Sequence, residues 1–239
     1  MATISKFFLR DIATPNTGTM PGSGDAFVTS PSLGDATGDA TGARTARDAH
    51  DTAGTSNPDV KSLITSVANT SRQTWGHRRF VSRPLAAQTF TAGDQWQFNY
   101  GHQESNTAHN AILGMVIYPW RPSTGAKVGT GTQYAEIYDG ISEPGTTETA
   151  IGLIDTWNTT VSILDGDILV FEVSSEFVQS MSTSYTDQFS YDGTTESSTT
   201  TMASVVLANV PVTLLAAGGA AASLVTSQRS RRSQSLAIR

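Results

Sequence analysis

Cysteine is absent from the 239 residues, so no disulfide and no thiolate-held metal can brace the fold. Stability has to come from a packed core or from contact with other molecules. Charge is scarce too: Asp, Glu, Lys and Arg make up 15% of the chain, against about 25% in ordinary globular domains. Gly-x-Ser-x-Gly, P-loop and Rossmann glycine patterns are missing, which removes the commonest hydrolase, nucleotidase and dehydrogenase signatures. In their place Ser and Thr supply about a quarter of the chain and Gly contributes 21 residues. Such a surface is neutral and rich in hydroxyls, and its solubility does not rest on strong charge.

The formal charge of −6 is unevenly placed. Arg229, Arg231, Arg232 and Arg239 lie in the last twelve residues, which hold no acid, so the remaining 11 basic against 21 acidic residues give the body −10. The tail is a candidate for contact with nucleic acid phosphate or with an acidic neighbouring surface, with Leu236 and Ile238 as apolar anchors. The early apolar run Phe7-Phe8-Leu9 sits between Lys6 and Arg10 and is too short for the core of a signal peptide, so synthesis in the cytoplasm is expected. Residues 205–225 carry no charge, long enough for a membrane span; Asn209, Pro211 and an Ala/Gly-rich second half favour a strand followed by a connector. No membrane association is expected.

The clearest structural signal is Val161 to Val173. Asp165-Gly166 interrupts two apolar runs, the pattern of a β-hairpin, and Ile168, Val170 and Glu172 alternate with Leu169, Phe171 and Val173. One face is wholly apolar and the other nearly so, as in a strand buried between layers. Trp96, Phe98 and Tyr100 share a face after a Gly93-Asp94 turn, and Ala111 to Tyr118 is a continuous apolar strand. Tyr185, Asp187, Phe189 and Tyr191 alternate again, and Met202 to Leu215 reads as a closing strand. Pro119 to Gly125, with two prolines, reads as a loop. The fold class expected is all-β, an antiparallel β-sandwich of jelly-roll-like layout, with an extended N-terminal arm and a basic C-terminal tail.

Four regions follow. Residues 1–58 form a low-complexity arm in which Phe7, Phe8 and Leu9 are candidate assembly contacts. Residues 59–74 form a short helix and connector, because Val60, Leu63, Ile64 and Val67 fall at helical spacing with Asn57 and Pro58 before them. Residues 75–215 form the sandwich, and 216–239 the Ala/Gly connector and arginine arm. The repeat Gly34-Asp-Ala-Thr-Gly38-Asp-Ala-Thr has neither the nonapeptide period nor the acid spacing of a calcium site.

Chemistry-bearing groupings are few. His77, His102 and His109 match no compact metal motif and read as surface histidines in polar loops. Asp165, Asp167 and Glu172 could be a carboxylate pair, but the two Asp residues flank a turn glycine, which accounts for them. Trp120, between prolines, is the candidate for an exposed glycan-stacking residue, whereas Trp96 is expected inside. No catalytic residue, metal site or cofactor is assigned.

The run from Arg78 to Leu215 includes Arg78-Arg-Phe-Val-Ser-Arg-Pro-Leu-Ala-Ala-Gln-Thr-Phe-Thr-Ala-Gly, Trp120-Arg-Pro-Ser-Thr-Gly, Glu143-Pro-Gly-Thr-Thr-Glu-Thr and Tyr191-Asp-Gly-Thr-Thr-Glu. With the opening Lys6-Phe-Phe-Leu-Arg-Asp, it resembles small virion-associated structural proteins of tailed bacteriophages. The Ala/Gly connector and arginine tail depart from that likeness. The resemblance implies a non-enzymatic virion component, a capsid accessory or decoration, neck or tail protein, working as a homo-oligomer against other virion proteins. It assigns no residue a role. A host-attachment or carbohydrate-binding module of a phage particle, centred on Trp120, is the alternative.

Overall fold

The structure is a computed structural model that describes residues 1–14, 38–39, 46–50, 60–65, 73–107, 111–129, 135–138, 146–147, 149–177, 183–191, 204–207 and 211–216. Among these residues there is no helix. The strands are β1 (Ala2–Ile4), β2 (Lys6–Ala13), β3 (Gly38–Asp39), β4 (Ala46–His50), β5 (Val60–Thr65) and β6 (Gln73–Ser82). Then come β7 (Gln88–Phe90), β8 (Gln95–Glu104), β9 (Ala111–Arg121), β10 (Ala126–Lys127), β11 (Ala135–Tyr138) and β12 (Thr149–Thr156). The last are β13 (Val161–Ile163), β14 (Ile168–Phe177), β15 (Thr186–Tyr191), β16 (Ser204–Leu207) and β17 (Val212–Leu214).

Thirteen of them join in one sheet, in the order β10-β9-β14-β6-β4-β2-β16-β8-β15-β5, with β11 on β9, β12 on β8 and β3 on β6. Pairing is antiparallel except where β3 and β4 run parallel to β6. The strip curls so that β6 and β14 face β15 and β2 across a shared interior. The Phe80 ring packs edge-on against Tyr191 at 5.3 Å, and Phe7 meets Phe171 at 5.2 Å. This is the all-β sandwich expected from the alternating strands.

Strands β9 and β14 are covered on both faces, as their unbroken apolar sequences require. Leu169, Phe171 and Val173 point inward with Leu113, Met115 and Ile117; Ile168 and Val170 join Val81, Val116, Tyr118 and Trp120 in a second cluster on the other face. Each fully buried Leu, Ile or Phe of this kind contributes about 1.5–3 kcal/mol relative to exposure.

Several local expectations change. Asp165-Gly166 is a turn, with Gly166 at φ 93°, but β13 and β14 do not pair: β13 lies on β7 and β14 lies between β6 and β9. Leu85 N donates to Asp167 O at 2.7 Å and Gly166 N to Leu85 O at 3.0 Å, so the turn is held by residue 85 and delivers the chain from one sheet to another. Gly93-Asp94 makes the matching corner between β7 and β8, with Gly93 at φ 95°.

The helix expected in 59–74 is also replaced, since β5 occupies Val60–Thr65 and pairs with β15 from Tyr191 to Thr186. Ser62 and Ile64 are buried while Lys61, Leu63 and Thr65 are exposed, a period of two that β-branched Ile64 and Thr65 suit. Asn57, Pro58 and Val67 lie outside the described residues. The loop expected at Pro119 starts three residues later, at Pro122, because β9 continues to Arg121. Pro119 accepts from Val128 N at 2.9 Å and lacks only the reciprocal donor at the end of the short β10 ladder. The closing strand Met202 to Leu215 is two strands in different sheets, β16 and β17.

The N-terminal arm is part of the body where it is described. Strand β2 lies between β4 and β16, and β1 pairs with β17. Phe7 and Leu9 are buried in the main core and Phe8 is half-buried, so the first two are core residues of their own sheet rather than free contacts.

Candidate functional site

Polar side chains gather at one place inside the sandwich, and strand periodicity puts them there. On β8 the inward face Trp96, Phe98, Tyr100 continues as His102 and Glu104, all buried. On β15 the inward face is Asp187, Phe189 and Tyr191. β14 adds Ser175 and β5 adds Ser62. His77 arrives by a different device. The β6–β14 register runs Arg78↔Val173 and then Gly76↔Ser174, leaving His77 as the extra residue of a β-bulge. A bulge re-aims a side chain that the alternation would send elsewhere.

Asp187 is the centre of this group. His77 Nε2 is 3.0 Å from Oδ2, His102 Nε2 is 2.7 Å from Oδ1, and the Ser175 hydroxyl donates to Oδ2. Ser175 Oγ is also 2.8 Å from His77 Nε2, and Ser62 Oγ is 3.2 Å from His77 Nδ1 and from the His77 carbonyl. His77, His102 and Asp187 are each 0% exposed. A carboxylate has only acceptors, so both histidines are best assigned with Nε2–H donating to it. His77 then stays neutral, with Nδ1 facing the oxygen of Ser62, whose hydroxyl donates to the His77 carbonyl.

The electrostatics agree with that assignment. Burial lowers the pKa of His77 from its ordinary value, outweighing the pull of Asp187. Burial alone would raise Asp187, but the charge and hydrogen bond of His102, with the hydrogen bond from His77, hold its carboxyl below the usual range.

Two further ion pairs join strands, one buried and one partly exposed. Arg79 Nε donates to Glu172 Oε1 at 2.6 Å and the Tyr118 hydroxyl donates to the same oxygen at 3.0 Å, on the outer face of β6, β14 and β9. Arg79 and Glu172 are direct cross-strand neighbours, both buried. Arg121 grips Asp167 with Nε to Oδ1 and Nη2 to Oδ2, each at 2.8 Å, and Leu164 N donates to Oδ2 at 2.9 Å. Nearer the surface Arg78 Nε donates to the Tyr191 hydroxyl at 3.0 Å, which donates on to Asp11 at 3.0 Å, with Arg47 Nε 3.1 Å from the same carboxylate. Burial is the main cause that pushes Tyr191 up to about 12.

Ser62, His77 and Asp187 present a hydroxyl, an imidazole and a carboxylate in series, the order a nucleophilic triad uses. A nucleophile must also meet its substrate, and these three are at most 1% exposed. What the arrangement does is tie β6, β8, β14 and β15 through one carboxylate, with Ser62 of β5 joined to it by way of His77. Among the described residues no group of three or more His, Cys, Asp or Glu is placed to hold a metal ion.

The residues singled out from sequence fall as follows. Trp120 is 1% exposed in the second apolar cluster, which corrects its reading as an exposed glycan contact. Trp96 is inside as expected, packed with Trp157 at 5.3 Å. His77 and His102 are not surface residues but core residues, and His109 lies outside the described residues. Asp165, Asp167 and Glu172 do not form one site: Asp165 accepts from Ala87 N, Asp167 holds Arg121 and Glu172 holds Arg79. Arg229, Arg231, Arg232, Leu236 and Ile238 lie outside the described residues, as does Gly34. No described helix is long and apolar enough to cross a membrane.

No protein-family model matches the chain, and neither does any curated protein sequence. Among solved structures it is similar over 65% of its length to 37% of a CocE/NonD family hydrolase from Staphylococcus aureus, at 8% identity and a TM-score of 0.37. It is similar over 66% of its length to 33% of an alpha-amino acid ester hydrolase, at 11% identity and a TM-score of 0.39. A structure of infectious bursal disease virus, Gx strain, matches over 74% of this chain and 49% of that one, at 12% identity and a TM-score of 0.20. The chain spans less than half the length of each of these proteins, and at such TM-scores the likeness carries no argument about activity.

Proposed function

We propose that this protein is a non-enzymatic structural component of a bacteriophage virion, a capsid accessory, neck or tail protein that assembles as a homo-oligomer. The observation that carries the reading is where the chain places its chemistry. The histidines, acids and arginines of its polar clusters are paired within or between strands, where they hold the sheet together. The sequence resemblance over Arg78 to Leu215 supports the same class, and the weakly charged, hydroxyl-rich composition suits a protein whose faces lie against neighbours. The virion is then its place of work, with other virion proteins as partners, and the basic C-terminal residues are available for an acidic surface. The glycan-binding alternative loses its stacking residue with Trp120 in the core.

Mass spectrometry of gradient-purified particles tests the proposal. The polypeptide should be present in fixed proportion to the major capsid protein across independent preparations. Its absence, or an amount that varies with the degree of washing, overturns the reading.

A further inference from the structure

The first strands of this protein are joined to its last. β2 lies between β4 and β16, β1 pairs with β17 through Ala2↔Leu214, Thr3↔Thr213 and Ile4↔Val212, and Phe7 and Leu9 are part of the main core. Residues 2–13 thus fill a slot whose walls come from residues 46–50, 204–207 and 212–214. The segment Ala2–Ala13 meets the rest of the chain through these pairings and through the side chains of Phe7, Leu9 and Asp11. Its covalent link to the next described strand is the stretch 14–37, rich in Gly, Ala, Thr, Ser, Asp and Pro. That length spans up to about 75 Å when extended, enough to reach across a neighbouring sandwich.

We infer that Ala2–Ala13 is an exchangeable strand that, in the assembled oligomer, fills the slot between β4 and β16 of a neighbouring copy. The same hydrogen bonds and the same Phe7–Phe171 ring contact form whichever copy supplies the segment, so exchange costs no contact. The choice between the two arrangements is then set by effective concentration, and a particle that packs copies side by side favours the neighbour. Asp11 takes part in the closure, since its carboxylate meets Arg47 and the Tyr191 hydroxyl on the receiving body. An acid on the segment and a base on the slot fix the register from the polar side while Phe7 and Leu9 fix it from the apolar side.

This inference rests on the assembly reading, and its test separates the two. The chain has no cysteine, so introduced thiols report without background. Phe8 and Ser204 are direct cross-strand partners, which places thiols at these positions within reach of a short bis-maleimide. Full-length Phe8→Cys and Ser204→Cys chains, co-expressed and purified as the oligomer, should cross-link to each other in at least tenfold excess over either variant alone. The doubly substituted chain should ladder into covalent multimers. An oligomer in which the double variant links only within one chain, and the single variants do not link to each other, overturns the exchange while leaving the structural role standing. A chain that stays monomeric overturns both, and a double variant that links in neither way removes the register on which the inference stands.

Discussion

His77 and Asp187 lie on strands that do not pair, β6 and β15, yet His77 Nε2 and Asp187 Oδ2 are 3.0 Å apart with neither residue exposed. The contact crosses the interior of the sandwich. It exists because a bulge turns His77 inward and because Asp187 occupies an inward position in an otherwise aromatic face. The acid is therefore a brace between layers, and its removal leaves two buried imidazoles without their acceptor. Asp187→Ala should lower stability by about 3–5 kcal/mol, read as a fall in the urea midpoint at unchanged slope. A loss under about 1 kcal/mol would mean that the network is not a brace.

The pH dependence follows from the same group. His77 has its pKa lowered in the folded state, so its contribution is complete above the ordinary value of 6.5 and is lost as pH falls below it, where only the unfolded chain takes the proton. Asp187 is lowered too, and its contribution is lost as pH falls below the ordinary 3.8. Both act in one direction: acid destabilises. The groups facing His77 are Asp187, His102, Arg78, Ser62 and Ser175, and His77→Gln keeps a neutral polar side chain among them. Urea midpoints from about pH 7.5 to about pH 5.5 should fall more steeply for the native chain than for His77→Gln. Equal slopes would show that His77 is not held neutral.

The Arg79–Glu172 pair makes a separate prediction on the opposite face of the sheet. Glu172→Gln leaves a buried guanidinium without its counter-charge and should cost about 3–5 kcal/mol. The double substitution Arg79→Met with Glu172→Leu removes both charges and should recover most of that loss. A full double-mutant cycle measures the coupling, and simple additivity of the two single losses would contradict a direct pair.

Strand periodicity made much of this legible in the sequence, and the exceptions have physical causes. Trp96, Phe98 and Tyr100 were readable as one inward face, and the same period carried two residues further reaches His102 and Glu104. Asp187 likewise stands in the Tyr185-to-Tyr191 alternation, where an acid among aromatics marks a buried partner. His77 was not readable, because a bulge breaks the period and is set by its neighbour's register. The Asp165-Gly166 hairpin failed because a turn residue reports a change of direction and not which strand is paired next. Residues 60–65 carried helical spacing at Val60, Leu63 and Ile64, and pairing with β15 overrode it, burying Ser62 and exposing Leu63. Trp120 looked exposed because prolines flank it, but Pro119 falls where the β10 ladder ends and β9 continues.

The corner glycine offers a local check. Gly166 has φ 93° and nothing within 4 Å of where a Cβ would stand, so only backbone strain opposes a side chain there. Gly166→Ala should cost about 1–2 kcal/mol, visible as a lowered thermal midpoint with an unchanged far-ultraviolet spectrum. A neutral substitution would show that the corner relaxes to another turn.

Trp120 separates packing from recognition. Trp120→Ala should destabilise by about 3–5 kcal/mol through loss of its place beside Tyr118 and Ile168. A stable, folded Trp120→Ala protein that has lost binding on a glycan array would instead restore the carbohydrate reading.

The central claim is that the chain acts by associating with copies of itself. Sedimentation velocity of the purified full-length protein over a wide concentration range measures this most directly. A discrete oligomer that dissociates only on dilution is the predicted result. A single species at the monomer mass of 25.3 kDa at every concentration would contradict it.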